Sequence, residues 1–276
     1  MLELSLCNEL LAAEGKSLAE QARIAAALGY MGLELAPSTL GPAPHRLSAT
    51  RIAEIRQTVE DAGLRVTVLH WLLSGYPEVS ITDPAGQGAA RDILLGLVDL
   101  CADLGGAVLV HGSPKQRLRP EGMSDIALTD HLAAFFAPVA QAAEARGVTY
   151  CIEPLSPAED DTVTSVAQGV ALARAIDSPA FRTMIDMSAA GQSEPPVADL
   201  LRHWVPTGLI GHVHANDTNR GAPGMGTDPH GEIVRALVEL GWDRPVGVEP
   251  FRCCLDASVT AAIGIATLRA CERAIR

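Results

Sequence analysis

No run of lysines and arginines occurs anywhere in the sequence, and 21 basic residues face 33 acidic ones for a formal charge of −12. A nucleic acid or an anionic membrane surface calls for a basic patch, so neither is expected as a partner. Long apolar runs are also missing, and none approaches the ~20 residues of a membrane span. The start, Met1–Asn8, has no basic residue, and Asn8-Glu9 interrupts its apolar run, so no secretory signal is expected. The cysteines (Cys7, Cys101, Cys151, Cys253, Cys254, Cys271) show no C-x-x-C spacing and mostly sit in apolar runs. Reduced thiols in a cytoplasm are the expectation. A glycine-rich turn after the first strand is absent as well. The glycines of Gly221–Gly226 lack the spacing and the Lys-Ser/Thr of a phosphate loop, so no nucleotide is implied.

What is present is an alternation. Apolar runs at Leu2–Leu6, Met31–Leu35, Leu64–Leu69, Ala107–Val110, Val148–Ile152, Phe181–Ile185, Leu209–Val213 and Pro245–Val248 read as strands. Between and after them, helical spacing predicts helices at Ser17–Leu28, from Ser48 to Gly63, and at Ala89–Leu104, Asp125–Arg146, Val163–Ile176, Val197–Trp204, Gly231–Leu240 and Asp256–Ala274. Gly29, Gly63, Gly105, Gly147 and Gly241 each end a helix just before the next strand begins. The strands are continuously apolar rather than alternating, as in a parallel sheet covered by helices. Unit count, unit length and glycine spacing together predict an α/β fold: one (β/α)8 TIM barrel spanning 1–276. A doubly wound sheet is the competing arrangement.

The strand ends do not finish a hydrophobic job. Glu153, Asp186, His214 and Glu249 end strands five to eight, separated by 33, 28 and 35 residues, so a barrel would gather them on one side of its mouth. A lone carboxylate at a strand end more often caps a helix or pairs with an arginine, and a lone histidine in an apolar run is usually a hydrogen-bonded core residue. Four such groups on successive strands point elsewhere. Three carboxylates that close repel one another, and a divalent cation resolves the repulsion. Three hard oxygens with one imidazole suit Mn²⁺, Mg²⁺ or Co²⁺, with Zn²⁺ also compatible. His212, two residues from His214, shares its side of the strand and is expected one layer below it. Asn8, Glu34, His70, His111 and Lys115 are further polar groups expected to line the cleft. Trp71 would offer a sugar a flat face. Arg220 and Arg252 would orient a substrate oxygen or neutralise the acidic mouth.

These residues resemble the sugar-phosphate isomerase/epimerase superfamily, the xylose-isomerase-like barrels, nearest their ketose 3-epimerase and hydroxypyruvate isomerase branches. The likeness runs from Ala26–Leu35 to Gly247–Phe251, and its most specific piece is Gly211-His-Val-His-Ala-Asn-Asp-Thr-Asn-Arg-Gly-Ala-Pro-Gly-Met-Gly226. The resemblance implies a metal on Glu153, Asp186, His214 and Glu249, with Glu153 and Glu249 also acting as the acid/base pair. It further implies substrate contacts from Glu159 and Arg220. One departure stands out. The epimerases carry a histidine three residues beyond the aspartate ligand, and here that position is Ala189.

The implied activity is metal-dependent isomerisation or epimerisation of a small ketose, keto-acid or other α-hydroxycarbonyl. It would proceed by glutamate proton abstraction and a metal-stabilised enediolate, and homodimeric or homotetrameric assembly is expected with it. A lyase or dehydratase on a keto-sugar, a phosphodiesterase or endonuclease-type hydrolase, and a non-catalytic sugar-binding barrel are the alternatives.

Overall fold

Each of the apolar runs pairs in parallel with its neighbour in sequence, and the last pairs with the first. The closed barrel comprises β1 (Leu4–Cys7), β2 (Gly32–Leu35), β3 (Arg65–His70), β4 (Val108–His111), β5 (Thr149–Ile152), β6 (Phe181–Asp186), β7 (Ile210–Ala215) and β8 (Val246–Val248). This is a (β/α)8 TIM barrel; the computed structural model describes residues 1–275. Its helices, among the described residues, are α1 (Glu9–Ala13), α2 (Leu18–Leu28), α3 (Ala49–Glu60), α4 (Pro84–Asp103), α5 (Asp125–Arg146), α6 (Val166–Ile176), α7 (Met187–Ser193), α8 (Val197–Trp204), α9 (His230–Glu239) and α10 (Ala257–Ile275).

The local signals act as their chemistry dictates. Ser17 and Glu20 form a reciprocal capping box at the start of α2, and Gly29 closes it in the left-handed conformation at φ 93°. Helix α4 begins earlier than the expected Ala89. Asp83 accepts from the Ala85 amide at 3.0 Å, and Pro84 occupies the first turn, where no donor is missed. Gly86 and Gly88 obscured that turn in the sequence. Helices α1 and α7, of five and seven residues, are too short to show a period and were not expected. Helix α5 corrects the reading of apolar runs, since by length and composition it could cross a membrane. Its apolarity is used inside the fold instead: Leu128, Leu132, Phe135, Phe136 and Val139 are buried, and the helix lies against α4, α6 and β5.

Strand parity divides the core in two. Residues such as Leu109, Tyr150, Ile152, Phe181 and Ile185 face outward and join the large layer between strands and helices. Val68, Val108, Val110, Cys151 and Met184 face inward and form a small separate cluster inside the barrel. Toward the mouth, the inward positions continue as His70, Glu153, Asp186, His212 and His214. A register shift between Thr183 and Met184 sets β7 so that His212 lies beside Met184 and His214 beside Asp186.

The same parity corrects the placement of His111. It follows inward-facing Val110 and therefore points outward, between barrel and α5. There its Nδ1 is 2.7 Å from the Tyr150 hydroxyl and its ring packs edge-on against Phe136. Burial, with Arg117 nearby, pushes its pKa down to about 3. Because the unfolded chain takes up this proton more readily, the stabilising effect of a neutral His111 is complete above about 6.5. It is lost as pH falls from there toward 3. His111→Gln keeps an acceptor for Tyr150 and removes the titration. We therefore expect wild type to lose about 2 kcal/mol more than this variant between pH 7 and pH 4.5. Parallel urea titrations at both pH values measure this, and identical losses would contradict it.

Candidate metal centre and cleft

Glu153, Asp186, His214 and Glu249 converge at the mouth, each offering a ligand atom within 4.8 Å of the others, and all four are buried. His214 Nδ1 is 2.9 Å from Glu249 Oε2, 3.5 Å from Glu153 Oε1 and 4.0 Å from Asp186 Oδ2. Neither His214 Nδ1 nor Glu249 Oε2 makes a well-directed hydrogen bond, even across the 2.9 Å that separates them, although both atoms are buried. Buried polar atoms are rarely left so. Two orphaned atoms beside two more carboxylates are what a site for a hard divalent cation presents.

The surroundings fix each donor. Glu34, with no exposed surface, accepts from Ser5 Oγ and lies 3.2 Å from both His212 Nε2 and His214 Nε2. Its hold on His214 Nε2 turns Nδ1 toward the carboxylates, the way a carboxylate orients a ligating imidazole. Asn216 does the same for Asp186: its Nδ2 donates to Asp186 Oδ2 at 2.8 Å and to the Glu249 carbonyl at 3.1 Å. The Ala189 amide donates to Asp186 Oδ1 at 2.6 Å, so this residue serves the site through its backbone. Two glycines leave the space. A Cβ at Gly112 would overlap Glu153 Oε2 and come 2.8 Å from its Cδ, and one at Gly247 would come 2.7 Å from Glu34 Cδ.

The electrostatics follow from crowding. Burial and the nearby Glu153 push Asp186 up to about 6. Burial lifts Glu249 to about 8; His214 opposes the rise, but Glu153 adds to it. Burial draws His214 down, yet Glu249, Cys7 and Glu153 outweigh it and hold the imidazole well above its usual range. For Glu34, burial is overcome by His212 and His214, which keep its carboxyl well below the usual range. Without a cation, the cluster therefore retains protons at neutral pH, and a divalent ion would take their place.

Above the cluster lies a cleft of about 140 Å³ lined by Trp71, Glu159, Ser188, Ala189, Arg220 and Phe251 along with three of the carboxylates. Arg220 is ion-paired with Glu159 and its guanidinium stacks 4.3 Å from the Phe251 ring centre. Trp71 and Arg220 both adopt positive φ, 53° and 67°, a costly conformation for bulky residues that concentrates at functional sites. On the other side of Trp71 a wider groove of about 570 Å³ opens.

Other expected residues lie elsewhere. His70 and His212 are inside the barrel beneath the cluster, with His70 bound to Glu9 and 4.0 Å from Glu249 Oε1. Asn8 uses its whole side chain on structure: it donates to Gln21 and Thr39, each at 3.0 Å, and accepts from the Ala36 amide at 2.9 Å. Lys115 is exposed and lines no part of the cleft. Arg252 is also exposed, and its Nη1 donates to the Asn219 carbonyl at 3.3 Å. His111 is in the outer core, as described. Sequence reasoning does not single out Glu9, Asn216, Ser188 or Phe251, and it places Glu34 in the cleft lining rather than under His214. Inward parity on β2 was the signal available for Glu34.

Residues 22–271 match the model of the xylose isomerase-like TIM barrel family. The chain is 29% identical over 231 residues to the D-psicose 3-epimerase of Ruminiclostridium cellulolyticum, covering 82% of this chain and 75% of that one. It is 29% identical over 204 residues to the L-ribulose 3-epimerase of Mesorhizobium japonicum, covering 72% and 66%. The crystal structure of D-psicose 3-epimerase with D-tagatose from Clostridium cellulolyticum H10 superimposes over 100% of both chains with a TM-score of 0.83 at 20% identity, which shows the shared fold.

The two glycines give a contrast that can be measured. Glu34 is locked by two imidazoles, so Gly247→Ala should cost about 1–3 kcal/mol through overpacking. Glu153 borders the cleft and its carboxylate can swing into it, so Gly112→Ala should leave the melting temperature nearly unchanged while displacing that carboxylate. Equal destabilisation of the two variants in thermal melts would contradict this account.

Proposed function

Because the chain belongs to the xylose isomerase-like TIM barrel family, we propose that it is a divalent-metal-dependent isomerase or epimerase. Its substrate class is a small ketose or another α-hydroxycarbonyl sugar derivative. The observation that carries the reading is the convergence of Glu153, Asp186, His214 and Glu249 with His214 Nδ1 and Glu249 Oε2 unpartnered. Those four residues would hold Mn²⁺, Mg²⁺ or Co²⁺. When bound, such an ion supplies Lewis-acid polarisation of a carbonyl, which acidifies the neighbouring C–H.

The chain's own residues do the rest. Arg220, fixed by Glu159 and stacked on Phe251, anchors substrate hydroxyls at the outer end of the cleft, and Trp71 gives the sugar an apolar face. Glu153 and Glu249 end β5 and β8 and reach the substrate from different directions. One removes the proton beside the carbonyl, and the other, or the same one, returns it. Return to the opposite face gives an epimer; return to the neighbouring carbon gives an isomer. Ala189 leaves the inner end of the cleft without an imidazole, which supports a substrate that does not depend on one there, and so not a free hexulose. Neither His111 nor Lys115 reaches the cleft, which disfavours the hydrolytic alternative.

Incubating the metal-loaded protein with ketoses and hydroxy-keto acids in D₂O, followed by NMR, tests the chemistry. Deuterium should enter at the carbon beside the carbonyl, and Glu153→Gln and Glu249→Gln should each slow the exchange by about 10²- to 10⁴-fold. Equal exchange in wild type and both variants would reject the glutamates as the acid/base pair.

Metal dependence has its own signature. In the metal-free protein, Asp186 and Glu249 are raised to about 6 and about 8. The stability carried by their protonated forms is present below ordinary carboxylate values and is lost as pH rises through these points. A cation relieves that loss. The melting temperature of the Mn²⁺-loaded protein should therefore exceed that of the chelated protein by a margin that grows from pH 6 to pH 9. A constant margin, or one that survives in Asp186→Ala, would contradict the assignment.

A further inference from the structure

Among the described residues, Arg117 heads the fully buried side chains by volume, and it lies outside the cleft. It follows the short turn after β4, where an arginine would ordinarily be solvated. Its Nη1 donates to the carbonyl of Glu153 at 2.8 Å and to that of His111 at 3.3 Å, while Nη2 is 2.7 Å from Asp160 Oδ2. The His111 carbonyl also accepts from the Glu153 amide at 3.2 Å, the last rung between β4 and the end of β5. One guanidinium thus spans the rung that delivers Glu153.

Asp160 is equally committed, with its side chain fully buried. It accepts from Thr162 Oγ1 at 2.7 and 2.9 Å and from the Val163 amide at 3.2 Å. Its own amide and that of Glu159 donate to the Ser156 carbonyl at 3.1 and 2.9 Å, and Ser156 Oγ donates to Glu159 Oε2 at 2.8 Å. The loop from 153 to 163 is therefore wound around Asp160, with Glu159, its immediate neighbour, paired to Arg220 in the cleft. A second tie, from the Arg119 amide to Asp161 Oδ1 at 2.9 Å, joins the same two loops.

A buried ion pair is weak as a source of net stability, because desolvation offsets its attraction, while its geometry is strict. Nη1 bonds both carbonyls while Nη2 stays at ion-pair distance from Asp160, an arrangement that arginine's planar fork allows and lysine's single ammonium does not. We propose that Arg117 and Asp160 are positioning residues. They set the spacing between Glu153 and Glu159, and so between the metal-and-proton end of the cleft and its hydroxyl-anchoring end. The inference rests on the functional reading above for what those ends do, but not for the spacing itself.

The test uses Arg117→Met combined with Asp160→Leu, which removes both charges together, and Arg117→Lys, which keeps the charge and loses the fork. Well below their melting temperatures, both variants should bind Mn²⁺ about 10- to 100-fold more weakly by calorimetry, the range typical when an outer-shell partner of a ligand is removed. Turnover of any accepted ketose should show a fall in kcat together with a rise in KM, since both ends move. Crystal structures should show the Glu153 and Glu159 carboxylates displaced relative to wild type. If wild type binds Mn²⁺ but exchanges no substrate hydrogen, the catalytic reading fails, and the affinity loss and displaced carboxylates still support the strut. If the double variant does not fold, Arg117→Lys decides. Wild-type Mn²⁺ affinity with unmoved carboxylates in either folded variant would overturn the proposal.

Discussion

Glu34 sits at the bottom of the barrel mouth with no access to solvent, held between Ser5, His212 and His214. Burying a carboxylate this deeply is unfavourable unless its charge is met, and two imidazole nitrogens at 3.2 Å meet it. The consequence travels upward. With Nε2 engaged below, His214 can offer only Nδ1 to the three carboxylates above, and the mouth becomes a set of converging donor atoms. Gly247 exists in this arrangement as room for Glu34, and Gly112 as room for Glu153.

This polar column costs the barrel much of its interior. The inward apolar cluster comprises only Val68, Val108, Val110, Cys151 and Met184, and the large apolar layer lies outside, between strands and helices. Stability and chemistry are thereby assigned to opposite faces of the same strands. The outward residues of β5 and β6, Tyr150, Ile152, Phe181 and Ile185, hold the helices in place. Their inward neighbours are free to carry groups that a core could not tolerate. The crowding lifts Asp186 and Glu249 well above ordinary carboxylates. A cation that displaces their protons would therefore do stabilising and chemical work at the same position.

The strands and the convergence of Glu153, Asp186, His214 and Glu249 were legible because both depend on regular repetition. Apolar runs buried on both faces recur between glycine-ended helices, and a barrel must collect successive strand ends at one mouth. Direction was harder to read. His70 and His111 both close a strand, yet one points inward and the other outward; only counting from Val68 and Val110 separates them. Asn8 comes one step after inward-facing Cys7 and so points outward as His111 does, whereas Arg252 lies in the loop beyond β8, where the pleat gives no direction. Arg117 was invisible altogether. Nothing local tells a solvated loop arginine from one buried against Asp160, because the partner arrives from a different loop. The short helices α1 and α7 escaped because they span fewer than two or three turns.

If the site holds a cation, Glu34 would present His214 Nδ1 to it, with Glu153, Asp186 and Glu249 completing the set. A crystal of the Mn²⁺-loaded protein, with data collected at the manganese absorption edge, tests it most directly. One anomalous peak is expected among these four residues, with Nδ1 as the imidazole ligand and Nε2 still on Glu34. A peak at any other group of side chains, or a His214 ring turned so that Nε2 faces the ion, would contradict it.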